Sequence, residues 1–108
     1  MKVLIFEDNL MWGPRLAKSI QHLGHDAQTL ARIPDPIPAA DVAIINLGSQ
    51  ALPPSSLVPQ LKQREIKIVA HAGHKEKELL ALGKDLGCDY LASNSEITNK
   101  IGDILKKL

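Results

Sequence analysis

Aromatic side chains are nearly missing from this chain: one Phe, one Trp and one Tyr make up 3% of its 108 residues. The core must therefore be aliphatic, drawn from Leu, Ile, Val and Ala among the 44% of positions that are hydrophobic. A single cysteine, Cys88, excludes an internal disulfide framework and fits a reducing cytoplasm. The net charge is only +1, which gives no electrostatic case for nucleic acid or an anionic membrane. No apolar run approaches the ~20 residues that cross a bilayer, and the acids Glu7 and Asp8 come too early for a signal peptide. There is no Gly-x-Gly-x-x-Gly, no Walker loop, no nucleophile elbow and no Cys/His pair at catalytic spacing. A dinucleotide site is thereby disfavoured, and the chain is expected not to be an enzyme.

What is present is a regular alternation. The length suits one domain, residues 1–108. Residues 42–45 form a short, uninterrupted apolar run in which three of four side chains are β-branched, the pattern of a central strand covered on both faces. Residues 3–6 are a second such run, ending in Glu7-Asp8. Shorter strands are expected at 25–30, 66–70 and 89–92. Between them lie helical spacings: Leu16, Ile20 and Leu23; Leu57, Val58 and Leu61; Leu79, Leu82 and Leu86. Asn9 can cap the first helix, which Pro14 requires to begin between residues 10 and 13. Ser55-Ser56 offers a start for the next, and residues 75–86 form another, closed by Gly87. A last helix carries Ile97, Ile101, Ile104, Leu105 and Leu108. Pro34, Pro36 and Pro38 forbid a regular helix over 33–38, so the second crossover is expected to be shortened or replaced by extended chain. Strands alternating with helices imply an α/β domain with a parallel sheet and right-handed crossovers.

The first strand, its paired acids, Asn9 and a helix ending in Leu23-Gly24 together resemble the opening of a response-regulator receiver domain, the CheY-like family. Gly87-Cys88-Asp89-Tyr90-Leu91 is similar to that family's Gly-Ala-x-Asp-Tyr-Leu stretch before its last helix. The resemblance covers the whole chain and implies a doubly wound, flavodoxin-like sheet of order 2-1-3-4-5. It also implies a site at the carboxyl edge of the sheet. There Glu7 and Asp8 stand at the Mg²⁺-holding acids and Asn46 at the phosphoaccepting aspartate. His71 (or Ala70, one register away) stands at the hydroxyl position, and Ser93 at the lysine. Asn94 takes the place of the proline that follows it, and Tyr90 matches the switch aromatic.

Those substitutions remove the chemistry. A carboxylate oxygen must attack phosphorus, and the neutral amide of Asn46 is a very poor nucleophile. Mg²⁺ prefers anionic oxygens, and no lysine stands where the phosphoryl charge would need one. The expectation is a pseudo-receiver: a cytoplasmic, phosphorylation-independent signalling module that contacts another protein or a second copy of itself. No nucleic acid or membrane is expected, and no cofactor other than a residual Mg²⁺ that Glu7 and Asp8 could hold. The alternative is a small-molecule, anion or metal-binding domain using the same edge through Glu7, Asp8 and His71.

Each residue also has a plainer role open to it. Glu7 and Asp8 can be solvated acids near helix N-termini. Asn46 can hydrogen-bond loop backbone where a carboxylate would be repelled by its acidic neighbours. His71 can titrate near its ordinary value of about 6.5 or sit partly buried with a local partner. Ser93 with Glu96 makes a capping box. The pairs His22/His25 and His71/His74 with Cys88 do not close a four-ligand zinc set, and Cys88 suits a small core position. Trp12 can be a partner contact or can pack over the loop beside it.

Overall fold

The computed structural model describes residues 1–108. Its strands are β1 (Lys2–Phe6), β2 (Asp26–Leu30), β3 (Val42–Asn46), β4 (Lys67–Ala72) and β5 (Tyr90–Ser93). Its helices are α1 (Trp12–His22), α2 (Pro54–Gln63), α3 (Lys77–Asp85), α4 (Asn94–Asn99) and α5 (Ile101–Lys106). The strands form one parallel sheet in the order β2-β1-β3-β4-β5, as the doubly wound reading required.

Because strand side chains alternate between faces, β1, β3 and β4 feed two separate cores. Val3, Ile5, Val42, Ile44 and Val69 pack with Leu16, Ile20, Ile97, Ile101 and Ile104 beneath α1, α4 and α5. Leu4, Phe6, Ala43, Ile45, Ile68 and Ala70 pack with Leu57, Val58 and Leu61 of α2 on the opposite face. No helix forms between β2 and β3. Extended chain carries Ile37 into the second core instead, where it is 3% exposed. No helix is long and apolar enough to cross a membrane.

Three local expectations need correction. The last helix is two short ones, interrupted at Lys100 (φ −126°, ψ 23°) after the weak helix formers Thr98 and Asn99. The apolar face nevertheless continues through the break, with Ile97, Ile101, Ile104 and Leu105 all buried. At α2 the first residue is Pro54, whose fixed φ suits that place, and no serine caps it. In β4 the strand runs past Ala70 to Ala72, so His71 is a strand residue.

Three helices end with a bond from an N–H back five residues: His25 to Ile20, Ile66 to Leu61, and Cys88 to Gly83. That closure needs a left-handed residue before the donor. Gly24 and Gly87 supply it at φ 89° and 81°, but after α2 it is Glu65, at φ 57°. Glu65→Gly is expected to raise stability by up to about 1 kcal/mol, the left-handed cost less the entropy glycine adds to the unfolded chain. Urea unfolding measures it, and a loss of stability would contradict the reading.

Candidate functional site

The sheet register brings three of the expected site residues into one row. Phe6 pairs with Ile45 and Asn46 with His71, so Glu7, Asn46 and His71 stand side by side where β1, β3 and β4 end. Each lies two residues after a strand residue of the α1-side core (Ile5, Ile44 and Val69), so all three share that face. Ala70 points into the other core and is excluded as the edge residue.

Glu7 is not solvated, contrary to the plainer expectation. It is 4% exposed, and with His71 it is one of only two buried polar or charged side chains. Oε2 accepts the backbone N–H groups of Asp8 (3.0 Å) and Asn9 (3.4 Å), and Oε1 accepts the Asn46 amide at 3.1 Å. Such bonds to a carboxylate offset much of its burial cost. Asp8, by contrast, is exposed. Both ends of the Asn46 side chain are engaged: Nδ2 donates to Glu7, and Oδ1 accepts from Gly48 N–H at 3.0 Å. A carboxylate at position 46 would present an acceptor to Glu7 where only a donor is tolerated.

His71 is 3% exposed. Its Nδ1 lies 2.7 Å from the Asn94 side-chain oxygen, a contact that requires the proton on Nδ1. Trp12 packs over the ring, with centroids 4.9 Å apart and planes tilted by 41°. Burial pushes the imidazole below its usual 6.5, while the Asn94 bond and the Glu7 charge act in the opposite direction. No side-chain nitrogen or oxygen in the chain is both buried and unpartnered. The unpartnered Nε2 therefore reaches solvent.

The remaining expected residues stand apart from this row. Ser93 and Glu96 form the capping box: Glu96 N–H donates to Ser93 Oγ, and Ser93 N–H donates to Glu96 Oε1, each at 3.1 Å. Asn9 caps α1 by accepting from Met11 and Trp12 N–H. Tyr90 begins β5, away from the carboxyl edge. It is half-buried against the α1-side core, with Lys107 Nζ 5.6 Å from its ring centroid. Cys88 is half-buried beside the other core, and burial raises its thiol pKa.

Mg²⁺ is the ion that the receiver resemblance implies, and the donor set does not suit it. Glu7 already accepts three N–H groups, Asn46 turns its N–H₂ toward that carboxylate, and Asp8 alone is free. No three His, Cys, Asp or Glu side chains are grouped closely enough to hold a metal ion. Two surface hollows lie away from this row: one of 390 Å³ over residues 75–79, and another of 380 Å³ at the opposite edge, beside Met1 and Leu108.

Sequence reasoning placed the edge residues but missed their partners. Asn94 had one visible signal, its occupation of the position where the family has proline. Nothing local pointed to Trp12 over His71, 59 positions away.

No protein-family model matches this sequence, and no curated protein matches it. Solved structures do. The chemotaxis response regulator CheY4 of Vibrio cholerae superposes over 98% of this chain and 96% of its own, with TM-score 0.79 and 17% identity. An orphan response regulator of H. pylori covers 100% of this chain and 96% of its own, with TM-score 0.77 and 20% identity. The receiver domain of the TMAO respiratory system response regulator TorR covers 98% and 97%, with TM-score 0.78 and 16% identity. At such identities the likeness is one of fold: the chain has the receiver architecture, strand for strand.

Proposed function

We propose that this domain is a receiver-fold interaction module that signals by contact with another protein and without phosphoryl transfer. One observation carries the reading. The residue at the phosphoacceptor position is an amide, and it is spent on holding a buried carboxylate. Phosphoryl transfer to a receiver needs a free carboxylate nucleophile, metal-binding oxygens beside it and a cation for the transferred charge. Here the first is Asn46, the second are reduced to the exposed Asp8 because Glu7 is engaged by N–H donors, and Ser93 caps a helix where a lysine would stand. With no chemistry at the edge, what the fold offers is surface, and Leu10 and Met11, each 81% exposed, lie beside it. Small-molecule binding is disfavoured, because the hollows over residues 75–79 and beside Met1 and Leu108 are not lined by Glu7, Asn46 or His71.

An amide-resolved NMR titration with Mg²⁺, then with Mg²⁺ plus beryllofluoride as a phosphoryl mimic, tests the proposal. The expected result is no saturable shift at Glu7, Asp8, Asn46 or His71 in the wild type. Saturable shifts at those residues would overturn it and return the domain to the class of working receivers or ligand binders.

A further inference from the structure

The carboxyl edge is rich in acceptors, and no lysine or arginine bonds to them. Glu7 is 4% exposed, and the N–H groups that bond it, from Asp8, Asn9 and Asn46, are all neutral. Buried charges are ordinarily paired, and this one is hydrogen-bonded without a counter-ion. Asp8 follows it with a second negative charge, free and exposed. His71 adds an acceptor of another kind. With the proton on Nδ1, its Nε2 carries a lone pair and has no partner, although the residue is 3% exposed. The two ring nitrogens face opposite ways. Nδ1 is turned to Asn94, which follows β5, so Nε2 is turned to the side of β4 on which β3 and β1 bring Asn46 and Glu7. Arg15 in α1 and Lys75 after β4 are exposed, and neither is among the partners of Glu7.

We infer that this edge receives an arginine side chain of a partner protein: the guanidinium lies between His71 Nε2 and Asp8, within the field of Glu7, and apolar residues flanking that arginine cover Leu10 and Met11. The inference rests on the interaction-module reading, because it names the partner chemistry of the surface such a module would use.

The physical warrant is complementarity of charge and of hydrogen-bonding sense. The groups waiting for a partner are carboxylates and one neutral ring nitrogen, and no three of the chain's possible metal ligands are grouped to hold an ion. A guanidinium suits that mixture. Its planar fork of five N–H donors can bond a nitrogen and a carboxylate at once, and it is weakly hydrated, whereas a lysine ammonium is a strongly hydrated point charge. It can also stack on an indole, and half-buried Trp12 stands over His71 at a centroid distance of 4.9 Å. Glu7 need not be touched to contribute, since attraction to a buried charge is screened far less than in water. The apolar half of the match is in the same connection. Leu10 and Met11, each 81% exposed, stand between Asp8 and Trp12 and are the most exposed large hydrophobic side chains of the domain. A neutral or acidic partner would satisfy only that half.

Three capped tripeptides test it: leucine-arginine-leucine, the same peptide with citrulline in the middle, and the same with lysine. Citrulline keeps the shape of arginine and removes its charge. Binding is followed by amide- and imidazole-resolved NMR above pH 7, where His71 is neutral. The arginine peptide should give saturable shifts at Asp8, Met11, Trp12 and His71 Nε2. The citrulline peptide should bind about tenfold more weakly, the difference between a charge-assisted and a neutral hydrogen-bonded pair, and the lysine peptide more weakly than arginine. Asp8→Asn, a change at an exposed position, should weaken the arginine peptide by up to about fivefold and leave the citrulline peptide unchanged. Leu10→Ser combined with Met11→Ser should weaken all three alike. Citrulline or lysine bound as tightly as arginine would overturn the inference, as would the absence of saturable shifts with any peptide or shifts confined to residues away from the edge. The two readings fail separately: a response to Mg²⁺ and beryllofluoride would count against the interaction module, whereas equal binding of the arginine and citrulline peptides would count against this anchor alone.

Discussion

Replacing Asn46 by aspartate is expected to destabilise the domain by about 2–4 kcal/mol at pH 7 in the absence of divalent cations. The amide nitrogen lies 3.1 Å from Glu7 Oε1. A carboxylate oxygen in its place would turn a charge-assisted hydrogen bond into a contact between two anions. At an effective dielectric of about 20 that repulsion alone is ~5 kcal/mol, and rotation of the half-buried side chain toward water relieves part of it. The Glu7 side cannot yield in the same way, because that carboxylate is 4% exposed and pinned by two backbone N–H groups.

The pH dependence of Asn46→Asp should run opposite to that of most carboxylates. Two close anions raise the pKa of one of them above its unfolded value, so the folded state binds more protons. Stability is then lowest above that raised pKa and recovers as pH falls through it. Mg²⁺ should restore stability at pH 7 as well, since the introduced carboxylate, together with Glu7 and Asp8, would offer the anionic oxygens that the Asn46 amide denies. Thermal unfolding at two pH values, with and without Mg²⁺, measures both effects. A variant as stable as the wild type at pH 7 without cation would show that the Asn46–Glu7 bond does not organise the edge.

Most of the fold was legible in the sequence because its strands are written in β-branched runs with prolines and glycines between them. Residues 3–6 and 42–45 are apolar on both faces, which only an interior parallel strand explains. The proline segment was readable for the opposite reason, since no regular helix accommodates Pro34, Pro36 and Pro38. Legibility failed where conformation was set against local preference. Nothing in the letters places Glu65 in a left-handed conformation, and the unbroken spacing of Ile97, Ile101 and Ile104 hides the break at Lys100.

At the site the split is sharper. Positions at strand ends follow from counting, so Glu7, Asn46 and His71 could be placed on one edge. Their chemistry depends on partners 39, 23 and 59 residues away. A charge at a strand end ordinarily reads as solvated. Glu7 is buried only because Asn46 and the backbone of Asp8 and Asn9 converge on it, and that convergence is a property of the folded edge.

Truncating Phe6 to alanine is expected to cost about 3–5 kcal/mol. That is a large share of the roughly 5–15 kcal/mol by which domains are commonly stable. Phe6 is the only phenylalanine, is 1% exposed, and heads the largest fully buried side chains, the rest of which are Leu and Ile. An aliphatic core has short side chains, and none of its members can reach across the space a benzyl group leaves, so a cavity adds to the lost transfer energy. The position makes the loss visible at the site. Phe6 is the last residue of β1, and Glu7 follows it directly, bonded through its own N–H to Leu30 O at 3.0 Å. Loosening the chain there should move the amide signals of Glu7, Asn46 and His71 even in molecules that stay folded. Phe6→Leu, which keeps much of the volume, should lose less stability and leave those signals nearer their wild-type positions. Urea unfolding of the two variants decides it: a cost for Phe6→Ala below about 1 kcal/mol would mean that the α2-side core closes over the gap, and that the edge does not depend on the one aromatic beneath it.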